Sequence, residues 1–203
     1  DGNHGRSVAW GAQNFGCNCE IYIHRHVSQA REEAIAKFGA KVNRIEGNYD
    51  DSVHLAAKVA EEKGYYVVSD TSYEGYTDIP KDVMQGYTIM VDETIRQMED
   101  TPTHVFLQGG VGGFPAAVVS FLVESLECPP IFIVVEPKNA DCLFQSAVNG
   151  KPTIVHGDLD TVMAGLACGE VSLLAWSILE SHVLHYLTLE DNSVSKTMRL
   201  LAN

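Results

Sequence analysis

The spacing of apolar positions changes along this chain, and each change marks an expected element. Residues 19–23 alternate polar and apolar side chains, the period of a half-buried strand. Ser28 then offers a helix cap, Ala30, Ala34, Ile35 and Phe38 fall on one helical face, and Gly39 stops the run. Residues 41–45 return as a short strand. Asp50 or Asp51 opens the next helix, whose face is Val53, Ala56, Ala57 and Ala60 and whose end is Gly64. Residues 65–68 read as a strand, and residues 80–99 carry Val83, Met84, Tyr87, Met90, Val91 and Ile95 at helical spacing. A strand over 104–107, glycines between 109 and 113, a helix over 116–126 and a strand over 131–135 complete the pattern.

The last two strands are near-continuous apolar runs, which predicts burial on both faces and hence a parallel sheet between helices. The fold class expected is α/β, with open, mostly parallel sheets and helices on both faces. Thr101, Pro102 and Thr103 are the expected boundary between a small α/β domain, 1–100, and part of a larger one, 101–203.

Gly109, Gly110, Val111, Gly112 and Gly113 join a buried strand directly to a helix. Glycines there let backbone N–H groups converge, and the helix N-terminus adds positive partial charge, so a phosphate is the expected occupant. The loop does not spell a Walker motif, since no Gly-Lys-Ser/Thr follows, and it matches the dinucleotide fingerprint poorly. A tight turn needing small residues is the plainer alternative. Asp70 follows the expected strand 65–68, at the end of an α/β strand where ligands bind, although a cap or turn role explains a lone aspartate as well. Asp1, Gly2, Asn3, His4 and Gly5 read as a loop entering a helix, with Asn3 or Asp1 near the cap. His4 is expected to support that loop by hydrogen bonding.

Composition narrows the partners. The net charge of −13, with 27 acidic against 14 basic residues and no basic stripe, excludes a nucleic-acid backbone. No apolar run approaches the ~20 residues that a membrane span needs. Five cysteines (Cys17, Cys19, Cys128, Cys142, Cys168) are too few for a disulfide scaffold, and a cytoplasmic location fits them. Cys142 and Cys168 are read as two buried thiols in preference to a disulfide. His24 and His26 carry no metal-site neighbours, and His182 and His185 read as an i, i+3 pair on a solvated helix.

Several segments together carry a resemblance. Residues 1–6 (Asp-Gly-Asn-His-Gly-Arg), 67–76 (Val-Val-Ser-Asp-Thr-Ser-Tyr-Glu-Gly-Tyr), 108–113 (Gln-Gly-Gly-Val-Gly-Gly), 135–142 (Val-Glu-Pro-Lys-Asn-Ala-Asp-Cys) and 163–170 (Met-Ala-Gly-Leu-Ala-Cys-Gly-Glu) occur in family-like order and spacing. The chain resembles the diaminopropionate ammonia-lyases, pyridoxal-phosphate enzymes of the tryptophan-synthase-β fold type. The resemblance implies that Asn3 meets the cofactor ring near its 3-oxygen and that Gly109, Gly110, Val111, Gly112 and Gly113 hold its phosphate. It makes Asp1 and Asp70 acid/base groups on opposite faces of a small amino-acid substrate, in a homodimer. Glu74 and Tyr76 are candidates to line the substrate pocket.

The same resemblance implies a Schiff-base lysine upstream of the Asn-His-Gly motif and a serine-rich segment beyond Asn203. None of the eight lysines stands in that context, so the chain looks like the middle of an enzyme, either a fragment or a truncated relative with no lyase activity of its own. Two rivals remain open: a serine or threonine dehydratase, and a non-catalytic module that binds a phosphorylated ligand or a partner through the glycine loop.

Overall fold

Helix α1 (Asn3–Asn14) starts directly out of the first motif, with Gly2 at its cap position and no side-chain cap bond. This is a computed structural model, and it describes residues 2–202. Strands β1 (Glu20–His24) and β2 (Lys41–Ile45) pair in parallel, joined through α2 (Gln29–Ala36). The Ser28 hydroxyl accepts the Arg31 N–H, so the expected cap is present. Helix α3 (Tyr49–Lys63) begins one step earlier than its aspartates suggest. Asn48 is the cap, and Asp51 closes a reciprocal capping box by accepting the Asn48 N–H at 2.8 Å. Ala9, Ile23, Val27, Ile35 and Ala40 form the small core of this unit, Asp1–Ser69.

The expected strand at 65–68 is absent. Residues 65–69 run without strand pairing among the described residues, and Tyr66 is 77% exposed. β-Branched and aromatic content there signals a pleated surface only when a neighbouring strand is available to pair with it, and β1 and β2 form a two-stranded sheet without it.

The second unit is Asp70–Asn203. Its sheet has the order β3 (His104–Gln108), β4 (Ile131–Pro137), β5 (His185–Leu189), all parallel. Helices α4 (Asp78–Gln97), α5 (Gly113–Ser125), α6 (Cys142–Asn149), α7 (Leu173–His182) and α8 (Asn192–Leu201) complete the unit. Met84 and Val91 of α4 share one core with Leu107, Val119, Val134, Leu143 and Leu179. Because α4 buries its apolar face there, the units part at residue 69, before α4, and the boundary read at Thr101 falls inside the second unit.

Burial on both faces holds for β4 and fails for β3. In β3 only Leu107 is buried and Phe106 is 66% exposed, so one face of the strand is open. Leu187 and Leu189 of β5 are exposed as well. His182 ends α7 and His185 begins β5, so the two do not form a helical pair. No helix among the described residues is long and apolar enough to cross a membrane.

Candidate functional site

The glycine loop is built from its flanks inward. Strand β3 delivers the chain to Gly109, whose N–H donates to the Val135 carbonyl at 2.8 Å and extends the ladder by one rung. A Cβ at Gly109 would lie 2.8 Å from Val134, 2.9 Å from Leu143 and 3.0 Å from Glu136, so only glycine fits over β4. Gly112 has φ +100 and caps α5, with Ala175, Leu143 and Leu179 packed behind it. Its conformation is one that L side chains resist. A plain turn needs one such residue; Gly109 answers to close packing, Gly113 to a tighter approach by the Asp70 carbonyl, and a Cβ at Gly110 would meet only ordinary contacts.

Inward, the loop's carbonyls are engaged: Gly110 accepts from the Cys142 thiol and Val111 from the Ser172 N–H. The N–H groups of Gly110, Val111, Gly112 and Gly113 find no acceptor among the described residues, and they stand at the positive end of α5. Unpaired backbone donors on consecutive residues at a helix N-terminus fit a phosphate. Cys142 and Cys168 flank Gly110: the Cys142 thiol donates to the Gly110 carbonyl at 3.5 Å, and Cys168 Sγ lies 3.4 Å from where a Gly110 Cβ would be. Both are buried thiols.

Beneath the loop lies a charge-bearing group that sequence reading gave no role. Glu136 is fully buried, and its carboxylate accepts the Leu143 N–H at 3.0 Å and the Phe144 N–H at 2.7 Å. Burial pushes this carboxyl up to about 8, against the two N–H groups that pull it down. It staples the start of α6 to the end of β4, behind Gly109. A glutamate within an apolar strand was the available signal.

Asp70 is the one predicted acid/base residue that the described structure carries; Asp1 lies outside the described residues. The structure brings Asp70 to the glycine loop. Its carbonyl oxygen is 3.3 Å from where a Gly113 Cβ would sit. Burial, and then the Asp70 charge, hold the Tyr87 phenol above its ordinary value, and the Tyr87 ring meets Phe114 of α5 edge-on at 5.5 Å. The sequence had placed Tyr87 on a core face only. Tyr73 and Tyr76 stack at 4.8 Å across a turn made by Gly75, with Glu74 exposed at its tip.

Asn3 is the first helical residue of α1 and is exposed. His4 Nε2 is 2.9 Å from the Val68 carbonyl, which ties the first motif to the run preceding Asp70 in sequence, in the supporting role expected of it. No group of three or more His, Cys, Asp or Glu among the described residues is placed to hold a metal ion.

Across residues 1–203 the chain matches the family described as pyridoxal-phosphate dependent enzymes. It is 44% identical over 207 residues to the diaminopropionate ammonia-lyase of Escherichia coli K12, covering 100% of this chain and 52% of that protein. The chain thus spans about half the length of the curated relatives it matches. The selenomethionine crystal structure of the Escherichia coli holoenzyme superposes with a TM-score of 0.91 at 42% identity, over 100% of this chain and 51% of that one. A second structure of that enzyme, in complex with D-serine, gives 0.87 at 43% identity, over 94% and 48%. The chain belongs to the pyridoxal-phosphate dependent enzymes, and pyridoxal phosphate is its cofactor.

Proposed function

We propose that the protein to which this chain belongs eliminates ammonia from 2,3-diaminopropionate, with pyruvate as the other product. The observation that carries the reading is the match to diaminopropionate ammonia-lyase along the whole chain. One water is consumed, and two ammonia molecules leave for each substrate. Pyridoxal phosphate, when bound, supplies an electron sink for the charge left at the α-carbon.

The rest falls to side chains and backbone of this chain. Gly109, Gly110, Val111, Gly112 and Gly113 bind the phosphate through backbone N–H groups, and Asn3 orients the ring. Asp70 takes the α-proton of the L-isomer, and Asp1 takes that of the D-isomer from the other face. The D-serine held by the Escherichia coli enzyme supports a site open to D-amino acids. A cytoplasmic homodimer belongs to the same reading. Sedimentation of the full-length protein at the mass of one protomer would remove the dimer from it.

The test is pyruvate release by the full-length protein from L- and D-diaminopropionate and from serine. Asp70→Asn keeps shape and removes the basic oxygen, so kcat on the L-isomer should fall about 10²–10⁴-fold with the D-isomer spared. Equal losses on both isomers would sink the two-base mechanism. Serine turned over faster than diaminopropionate would move the protein to the dehydratases.

A further inference from the structure

Helix α7 begins in an unusual way, and the irregularity leads to Asp70. Ser172 occupies the cap position of α7, yet its hydroxyl makes no cap bond to its own helix. The bond is made by a residue far away in sequence: the Leu174 N–H donates to Ser72 Oγ at 2.7 Å. Ser172 Oγ instead accepts the Ser72 N–H at 3.0 Å, and the two hydroxyls meet at 2.8 Å. The Leu173 N–H donates to the Ser72 carbonyl at 3.2 Å. Every polar atom of Ser72 is therefore engaged by the first turn of α7. Both serines are buried, Ser172 completely.

The other end of this arrangement is the glycine loop. The Ser172 N–H donates to the Val111 carbonyl at 2.8 Å, so one residue holds both the loop and Ser72. Ser72 lies two residues after Asp70, whose carbonyl rests against Gly113. A segment with no strand or helix of its own is thereby tied through Ser172 to the loop at Val111, with the Asp70 carbonyl close to Gly113. Buried hydroxyls exchanging hydrogen bonds cost more to break than exposed ones, because each partner left behind is desolvated and unmatched.

We propose that Ser72 and Ser172 are positioning residues that lock the Asp70 segment to the phosphate-binding loop, so that filling the loop also sets the base. The proposal rests on the reading of Asp70 as a base and of the loop as a phosphate site. It adds a coupling between them: phosphate held by the N–H groups of Gly110 to Gly113 restrains Val111, hence Ser172, hence Ser72 and Asp70.

The experiment uses the full-length protein with pyridoxal phosphate as the probe. Hydrogen exchange over residues 70–76 should slow at least about tenfold on cofactor binding in the wild type. In Ser72→Ala that slowing should be lost while cofactor affinity changes less than about threefold. Ser172→Ala is the second variant, because it leaves the cap on Leu174 intact and so spares α7; it should weaken the slowing too. Ser72→Thr, which keeps the hydroxyl, should restore it. In turnover, Ser72→Ala should lower kcat on L-diaminopropionate by about 10–10², leave KM within about threefold and spare the D-isomer. Exchange at 70–76 that still follows the cofactor in both alanine variants would overturn the coupling. So would equal loss on both isomers without a change in that exchange. If the wild type turned over neither isomer, the proposed function would fall, and the exchange experiment would still decide the coupling.

Discussion

Helices α1 and α5 both start on a glycine, and both starts carry a motif, but the two glycines answer to different forces. Gly2 has negative φ, and a Cβ there would meet nothing within 4 Å. Gly112 is buried at φ +100 with Ala175, Leu143 and Leu179 against it, and Gly109 before it is packed still more tightly. Behind α5 stands a core that includes Leu107, Val119, Val134 and Leu179; behind α1 there is the small cluster of Ala9, Ile23 and Ile35. A phosphate cradle needs its N–H groups held still, and only a packed wall does that. Among the described residues, the first motif carries one side-chain hydrogen bond, His4 to the Val68 carbonyl.

The sharpest test of this contrast is a methyl group. Gly109→Ala must displace Val134, Leu143 or Glu136, and Gly112→Ala adds a strained φ to close contacts. Each should cost about 2–4 kcal/mol of stability in denaturant unfolding, from overpacking or strain. A loss below about 1 kcal/mol would mean that the wall behind the cradle yields, and the two helix starts would then not differ in kind.

The wall also contains the buried acid. Glu136 carries a carboxyl near 8 in the folded protein against an ordinary 4.5. The folded state therefore keeps a proton that the unfolded chain has released. Stability from this group is complete below about pH 4.5 and is lost as pH rises toward 8. At full slope the loss is about 1.4 kcal/mol per pH unit. Thermal or urea unfolding between pH 5 and 8 measures it. Glu136→Gln should flatten that slope, at a cost of about 1–3 kcal/mol at low pH, because its amide must turn one N–H against Leu143 or Phe144. A slope unchanged in the variant would assign the pH dependence elsewhere.

The glycine loop was legible because its sequence states a backbone requirement, and α4 because Met84 and Val91 of its apolar face reach the core, although Met90 is 47% exposed. In β1 the buried pair is Ile23 and His24, so the alternation locates the strand without giving its buried side. What failed has a common cause. Phe106 and Val68 have strand composition, but composition does not say whether a neighbouring strand or covering helix exists. Residues 65–69 lack strand pairing, and β3 has an open face. The partnership of Ser72 with Ser172 was equally out of reach. It joins positions 100 residues apart through hydroxyls that any turn also uses. The cap at Asn48 is hidden in the sequence because the aspartates that follow it carry the same capping signal.

On the α1 side the effects should be smaller. His4→Ala removes the bond to the Val68 carbonyl at a half-buried site and should cost about 0.5–1.5 kcal/mol. Faster hydrogen exchange near residues 66–69, without change at 104–113, would place the loss in the first motif. Loosening of the glycine loop by this variant would show that the two starts are not independent.

Gly2→Ala should have the smallest effect. Gly2 caps α1 without a side chain, so its contribution is backbone freedom and hydration of the first N–H groups. Alanine is poorer than glycine at a helix cap, and here it meets no neighbour and no positive φ. The expected loss is about 0.5 kcal/mol, several times smaller than that of Gly112→Ala at the matching position of α5. Both substitutions add one methyl at a helix cap, so the ratio between them separates the packed wall and the strained φ of Gly112 from the loss of glycine at a cap. Similar losses at the two caps would mean that glycine serves only as a helix start in both places. The packed wall would then have no part in holding the cradle.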